Sequence, residues 1–158
     1  NGKINTLRYL LTKHPPLVTE MDATGKSVLH LAVISGLPKI VKIVLDQQDA
    51  DLYFRSGIPP RNTALHMAAE EGKERVLEYL HKEKNANDYG QTPIVLAAGN
   101  DHYSIVRYLI EKGNVDPTLT ENDGNNILFA SARAGETRIP SFMLYRGIYF
   151  DINRRNIS

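Results

Sequence analysis

The chain has 158 residues, of which 42% are hydrophobic and 23% are charged, as is typical of one folded domain. Its 19 basic and 18 acidic side chains leave a formal net charge of +1, so charge gives no reason to expect nucleic-acid or anionic-membrane binding. The absence of cysteine excludes disulfides, thiolate zinc sites and a cysteine nucleophile, and it fits a reducing cytosol. The sequence also lacks a signal-peptide pattern and any apolar stretch of the roughly 20 residues that a membrane span needs.

The predicted elements begin with a helix that carries Leu7, Leu10 and Leu11 on one face. Four ten-residue segments of similar pattern follow, and we call them the motif segments. They are Ser27–Gly36, Thr63–Gly72, Thr92–Asp101 and Asn126–Gly135. Their first residues are 36, 29 and 34 positions apart, an average of 33. This spacing indicates a chain built from repeats of one helical unit.

Each motif segment predicts a short helix. The first residue is a good helix N-cap in all four, because its side-chain oxygen can accept a backbone N–H. Glycine ends three of the segments, as expected for a residue in the left-handed conformation, whereas Asp101 ends the third and breaks that rule. Small residues in the second half of each segment allow neighbouring helices to approach closely.

A second amphipathic helix is predicted after every motif segment. Its apolar pairs recur with a 3.6-residue period, as at Ile40-Val41 and Ile105-Val106. Pro38 fits the first turn of such a helix, whereas Pro140 lies deeper and should delay or kink the last one. The opening helix matches the second helix of a preceding, truncated repeat.

This pattern resembles the ankyrin repeat. The family signature Thr-Pro-Leu-His-x-Ala is met closely by Thr63-Ala-Leu-His-Met-Ala68, and its turn signature Asp-x-x-Gly-x-Thr by Asp22-Ala-Thr-Gly-Lys-Ser27. The chain departs from the family where Val95 and Phe129 replace the histidine, and where Ile58-Pro59-Pro60-Arg61 stands in place of a plain hairpin turn.

The resemblance implies an all-α ankyrin-repeat solenoid of helix-turn-helix repeats joined by hairpin-like loops. We expect about four repeats and a truncated one in front, within a single domain spanning residues 1–158. The approximate boundaries are 1–21 (partial), 22–57, 58–86, 87–120 and 121–153. Both ends look cut, so we expect the chain to be a fragment of a larger protein.

Enzymatic and ligand chemistry finds little support in the sequence. Gly25-Lys26-Ser27 resembles the end of a phosphate-binding loop, but Glu20 occupies the position of the required first glycine. His30 and His66 recur at one repeat position, where the resemblance implies neutral rings that bond the cap hydroxyl and the neighbouring turn. His14 and His102 have no evident partner. We expect no catalytic residues, cofactor or metal ion in this domain.

A protein partner is expected instead, because a repeat stack presents an extended surface rather than one deep pocket. In ankyrin-like stacks that surface is a groove formed by hairpin tips and the exposed side of each first helix. The candidate groove residues are Lys26, Ile34, Ser35, Asn62, Glu70, Glu71, Asp88, Tyr89, Gln91, Asn100, Asp123, Asn125 and Arg133.

Two features of this groove bear on the partner. Tyr89 is a large aromatic residue at a hairpin tip, of the type that often anchors an interface, although packing on its own loop is an equal alternative. Glu70, Glu71, Asp88 and Asp123 make the middle of the groove acidic, unless they are ordinary solvated charges. This pattern predicts a partner segment that carries lysine or arginine.

The leading hypothesis is a monomeric, cytoplasmic protein-interaction module or scaffold, without nucleic-acid binding or membrane insertion. Two alternatives remain open. The domain could be the substrate-docking arm of a multidomain enzyme or of a bacterial effector acting in host cytosol, or it could be the cytosolic repeat region of a membrane channel.

Overall fold

A computed structural model describes residues 2–57, 59–81, 91–122 and 124–150. Within these residues the chain forms nine α-helices and one 3-10 helix, Pro15–Val18. The α-helices are α1 (Gly2–Lys13), α2 (Val28–Ile34), α3 (Pro38–Leu45), α4 (Ala64–Glu70), α5 (Glu74–Leu80), α6 (Pro93–Gly99), α7 (Tyr103–Glu111), α8 (Ile127–Ala134) and α9 (Arg138–Tyr145).

The helices pack in consecutive pairs, and the pairs stack in chain order. The first helices α2, α4, α6 and α8 form one row, in which each contacts the next. The second helices α3, α5, α7 and α9 form a parallel row, which α1 extends by packing on α3. The predicted all-α ankyrin-type solenoid is therefore confirmed.

The core lies between the two rows. Short helices can be buried on most sides here because their inward residues are small or compact, and Ala64, Ala68 and Ala69 of α4 are fully buried. The second helices contribute larger side chains, such as Leu77, which is also fully buried. Alanine lets the helices pack closely, and leucine fills the space between the rows. The stack therefore has one continuous core.

The helix ends follow the predicted turn chemistry, with one difference. Gly36, Gly72 and Gly135 adopt left-handed backbone conformations with φ between 67° and 75°. Asp101, which ends the third motif segment in place of glycine, takes the same conformation, with φ of 60°. Aspartate is among the few residues that tolerate this region, so the third repeat keeps the turn without glycine.

Pro140 is the third residue of α9, which begins at Arg138. The first four N–H groups of a helix have no intrahelical acceptor, so proline at this position removes no helical hydrogen bond. The helix starts three residues after Gly135, whereas α3 and α5 start two residues after the equivalent glycine. The predicted delay thus amounts to one residue.

Hairpin loops precede α2 and α8. Isolated antiparallel bridges join Met21 to Ser27 and Thr120 to Asn126, and these close the first and fourth hairpins. Before α4 the Pro59–Pro60 peptide bond is cis and Arg61 has φ of 54°, so this turn differs from a plain hairpin as the sequence suggested. It is joined to the first hairpin, since the Gly57 N–H donates to the Gly25 carbonyl oxygen at 2.7 Å.

Candidate functional site

His30 fastens the first repeat to the hairpin of the second. The Ser27 N–H donates to Nδ1 of His30 at 3.1 Å, so this nitrogen accepts and the proton lies on Nε2. Nε2 then donates to the Asn62 carbonyl oxygen at 3.0 Å. The ring is fully buried, and loss of solvation lowers the pKa of His30 below its ordinary value. This geometry is the neutral, turn-bonding histidine that the family resemblance implied.

The position of His30 keeps its histidine in the second repeat and loses it in the third and fourth. His66 lies 2.7 Å from the Thr63 hydroxyl oxygen and accepts from the Thr63 N–H, as His30 does from Ser27. In the third repeat Val95 replaces histidine, and the buried Thr92 hydroxyl finds no hydrogen-bond partner among the described residues. In the fourth repeat Asn126 caps α8 directly, because its Oδ1 accepts from the N–H groups of Leu128 and Phe129.

Thr92 thus corrects one prediction from the sequence. All four cap residues stand where predicted, immediately before a first helix. An N-cap side chain stabilises the turn, however, only where it forms a hydrogen bond. Thr92 supplies the N-cap backbone conformation, while its hydroxyl contributes no bond within the described part of the chain.

A surface cavity of about 250 Å³ lies between the first and second repeats on the side of the hairpins and first helices. Four of the predicted groove residues surround it, two from the hairpin region and two from the end of α4. The residues around the cavity are Thr24, Lys26, Ser56, Pro59, Pro60, Asn62, Met67, Glu70 and Glu71. We call this feature the acidic cavity.

Two carboxylates dominate the charge of the acidic cavity. Glu70 Oε2 accepts a hydrogen bond from Asn62 Nδ2 at 3.0 Å, which links the second hairpin to α4. Among the described residues neither Glu70 nor Glu71 forms an ion pair. With one cation, Lys26, against two exposed carboxylates, the cavity carries a net negative charge.

His102 holds the end of α4 in place, although sequence analysis found no partner for it. Its Nε2 lies 2.9 Å from the Glu70 carbonyl oxygen, which reaches across one repeat boundary. A side chain on Gly72 would place its Cβ only 2.7 Å from the His102 ring. The spacing from His102 back to Gly72 is close to one repeat, and that is the sequence signal that could have suggested the contact.

A second group of predicted residues meets where Gln91, just before α6, approaches the fourth hairpin. Gln91 Nε2 donates to Oε1 of Glu121 at 3.2 Å, and Asn125 approaches the other oxygen of the same carboxylate at 3.5 Å. Glu121 is buried, and sequence analysis did not single it out. These side chains therefore bond to one another and join the start of the third motif segment to the fourth hairpin.

The other candidate residues are dispersed. Ile34 is half-buried at the end of α2, while Ser35, Asn100 and Arg133 are exposed after or at the ends of their first helices. The side chains of Ser35 and Asn100 donate hydrogen bonds to backbone carbonyl oxygens of their own helices. Asp88, Tyr89 and Asp123 lie outside the described residues.

A larger depression, of about 510 Å³, lies between α7 and α9 in the outer row. Its rings pack edge to face, with Tyr103 and Phe142 centroids 6.0 Å apart. Both cations that line it are already paired, Arg107 with Glu111 at 3.1 Å and Arg138 with Glu136 at 2.6 Å. Because its charges balance within the protein, this depression offers less to a charged partner than the acidic cavity does.

The described residues contain no cluster of three or more histidine, aspartate or glutamate side chains that could hold a metal ion. In the same part of the chain, no helix combines the length and apolar character that crossing a membrane requires.

Comparison with known proteins agrees with the architecture. Residues 49–121 and 65–156 match the family described as ankyrin repeats in three copies. A transient receptor potential cation channel subfamily A member 1 homolog of Caenorhabditis elegans is 26% identical over 155 residues, 96% of this chain. The nuclear factor NF-kappa-B p105 subunit of Gallus gallus is 27% identical over 135 residues, 82% of this chain.

A third relative, protein fem-1 homolog A-like of Mus musculus, is 30% identical over 106 residues, 65% of this chain. The matched regions make up 12%, 14% and 16% of these three relatives. The family match spans more than half of the sequence and agrees with the stacked helix pairs. The chain belongs to the ankyrin-repeat family.

Proposed function

We propose that this domain binds a partner protein through the groove of hairpins and first helices, with the acidic cavity receiving a lysine or arginine side chain. Ankyrin-repeat domains are generally protein-interaction modules and are typically non-catalytic. The observation that carries the finer proposal is the pair of carboxylates, Glu70 and Glu71, without an ion pair among the described residues.

The architecture around this pair supports a preformed binding site. Asn62 is 6% exposed, receives the hydrogen bond of His30 at its carbonyl, and donates its side-chain amide to Glu70. His102 fixes the Glu70 backbone from the other side. A carboxylate held in this way loses little conformational freedom on binding, which improves affinity without any added contact.

The proposal is tested by selecting linear twelve-residue peptides that bind the purified domain from a displayed random library. Lysine or arginine should be enriched among the binders. The double variant Glu70→Lys/Glu71→Lys should weaken the selected peptides about tenfold or more, since reversing two rim charges costs roughly 1–2 kcal/mol. Affinity should also fall as salt rises, because exposed charges are screened.

A matched control lies on the outer row. Glu74 and Glu78 of α5 are also exposed glutamates, so Glu74→Lys/Glu78→Lys makes the same change in net charge away from the groove. It should leave peptide affinity within about twofold of the parent, as expected for remote surface substitutions. Equal losses in both double variants, or no enrichment of basic residues, would contradict the proposal. Tyr89→Ala tests the predicted aromatic anchor in the same assay.

A channel repeat region is the second candidate function. It rests on the relative that matches 96% of this chain, whose name is that of a cation channel subfamily member. Under this alternative the groove would bind another part of the same assembly. The sequence of the complete polypeptide tests it, since apolar spans of about 20 residues are required.

A further inference from the structure

The end of the stack formed by α8 and α9 differs from every internal junction. The third, fourth and seventh residues of the motif segments are at most 2% exposed in the first three repeats, each of which is followed by another repeat. These buried residues are Leu29, His30, Val33, Leu65, His66, Ala69, Ile94, Val95 and Ala98. In the fourth repeat Leu128 is only half-buried, Phe129 is 43% exposed and Ala132 is exposed.

The second helices show the same change. Val41, Leu77 and Val106 occupy one repeat position and are fully buried, whereas Pro140 at that position of α9 is half-buried. Leu144 is 67% exposed, although the equivalent residues of the earlier repeats are half-buried. An apolar end face therefore runs across both helices of the fourth repeat. It consists of Leu128, Phe129, Ala132, Pro140 and Leu144, and we call it the end face.

The turn between the two helices gives independent evidence. A Cβ on Gly36 would lie 3.4 Å from Lys73 of the next repeat, and one on Gly72 would lie 2.7 Å from His102 of the next. The equivalent Asp101 pairs with Arg138 of the fourth repeat at 2.9 Å. A Cβ on Gly135 would meet no other residue within 4 Å, so the contact made at three junctions is missing at this one.

The opposite side of each repeat indicates what shape of partner fits. The fifth residue of the motif segment is buried against the preceding repeat, with Met67, Leu96 and Ala130 all at most 9% exposed. Leu31 holds this position in the first described motif segment, before which no first helix stands in the described chain, and it is 45% exposed. An ankyrin-type helix pair with an apolar fifth residue is thus the complement of the end face.

We propose that the end face binds a further ankyrin-type helix pair, stacked in the register of the three internal junctions. Terminal repeats that face solvent need polar outer surfaces, and the end face lacks one. A second copy of this chain fits less well, because α1 already packs on α3 and occupies the outer row at the front of the stack. This inference is independent of the groove, whose acidic cavity lies between the first two repeats.

The proposal is tested by extending the chain after Ser158 with a copy of residues 127–150 whose own end-face residues are made polar. Ser158 follows Asn126 by 32 residues, which falls within the observed spacing of 29 to 36, so it can serve as the next cap. Hydrogen exchange of the α8 and α9 amides should slow at least tenfold relative to the unextended chain, and the melting temperature should rise.

The matched control is the same extension on a chain with Phe129→Glu and Ala132→Arg. Ala132 is exposed and Phe129 is 43% exposed, so the unextended double variant should fold and melt only slightly below the temperature of the parent, while the extension should no longer slow exchange relative to that variant. Unchanged exchange in the extended parent chain would overturn the proposal. So would concentration-dependent oligomers of the unextended chain in sedimentation experiments that Ala132→Arg dissociates, since the end face would then bind a second copy.

Discussion

The first two repeats and the last two hold their hairpins to their helices in different ways. In the first two a buried histidine bonds the cap residue, and His30 also bonds the next hairpin through the Asn62 carbonyl. In the third, Val95 leaves the Thr92 hydroxyl without a described partner, and in the fourth Asn126 caps the helix by itself. The fold therefore tolerates loss of the histidine, but the tie between adjacent repeats changes.

This difference coincides with the location of the acidic cavity. His30 fixes the Asn62 backbone, and the Asn62 side chain bonds Glu70, so a structural histidine in one repeat positions a carboxylate in the next. Before α6 and α8 the predicted groove residues Gln91 and Asn125 instead both contact the Glu121 carboxylate. Among the described residues, the histidine-bonded half offers two carboxylates that form no ion pair, whereas in the other half Gln91 and Asn125 already contact the Glu121 carboxylate.

The largest expected effect comes from removing the histidine tie. His30→Ala should lower the free energy of unfolding by about 3 kcal/mol, because it opens a cavity in the core and leaves buried polar groups without partners. Urea unfolding at pH 7 measures it. Phe129→Ala, at the same repeat position but 43% exposed, should cost less than about 1 kcal/mol. Similar losses in the two variants would remove the distinction between the repeats.

The cap hydroxyls sharpen the comparison. Thr63→Val removes the hydroxyl that lies 2.7 Å from His66, and it should cost about 1–2 kcal/mol. Thr92→Val replaces a buried hydroxyl that has no described partner, and it should cost less than about 0.5 kcal/mol or stabilise slightly. Thermal unfolding of the two variants side by side measures the difference. A larger loss for Thr92→Val would show that its hydroxyl makes a bond that the described contacts lack.

Acid should weaken the histidine-bonded half. Burial lowers the pKa of His30, so the unfolded chain binds a proton at pH values where the folded chain does not. The contribution of neutral His30 to the free energy of unfolding is therefore complete above about pH 6.5. It is lost as the pH falls towards the folded-state pKa. Urea midpoints between pH 7.5 and 5 should decline more steeply for the parent than for His30→Leu. Parallel declines would exclude this histidine as the cause.

The smallest expected effect is a stabilisation in the third repeat. Asp101 holds a left-handed conformation that costs a non-glycine residue about 1 kcal/mol, and its ion pair with Arg138 is exposed to solvent. Asp101→Gly should therefore raise the free energy of unfolding by about 0.5 kcal/mol. Both substitutions remove the ion pair, but Asp101→Ala also keeps the backbone cost, so it should lower the free energy of unfolding slightly. An Asp101→Gly variant that is less stable than the parent in thermal unfolding would show that the ion pair contributes more than the backbone conformation costs.

Much of this structure could be predicted from the sequence, because the repeat carries its own local signals. The cap residues Ser27, Thr63, Thr92 and Asn126 predict the first residue of each first helix, and the repeat period predicts where the second helices lie. The turn before α4 was harder, since Pro59, Pro60 and Arg61 match no standard hairpin pattern. Asp101 shows why a rule based on glycine alone fails, because the neighbouring repeats determine the backbone conformation that the residue must adopt.

The candidate site was less predictable than the fold. The repeat register assigned Lys26, Asn62, Glu70 and Glu71 to the groove, and the structure places these four around one cavity. The register did not predict that Glu121 would be buried and bonded to Gln91, or that His102 would bond the Glu70 carbonyl. Such contacts depend on side-chain reach across a repeat boundary, which sequence spacing alone does not specify.

The central claim is that the groove, and within it the acidic cavity, is the binding surface. Amide chemical shifts recorded during titration with a selected arginine-containing peptide test it most directly. The largest shifts should fall on Lys26, Asn62, Glu70 and Glu71, and they should vanish in Glu70→Lys/Glu71→Lys. Shifts concentrated on α5, α7 and α9, with the groove amides unmoved, would contradict the claim and locate the interface on the outer row.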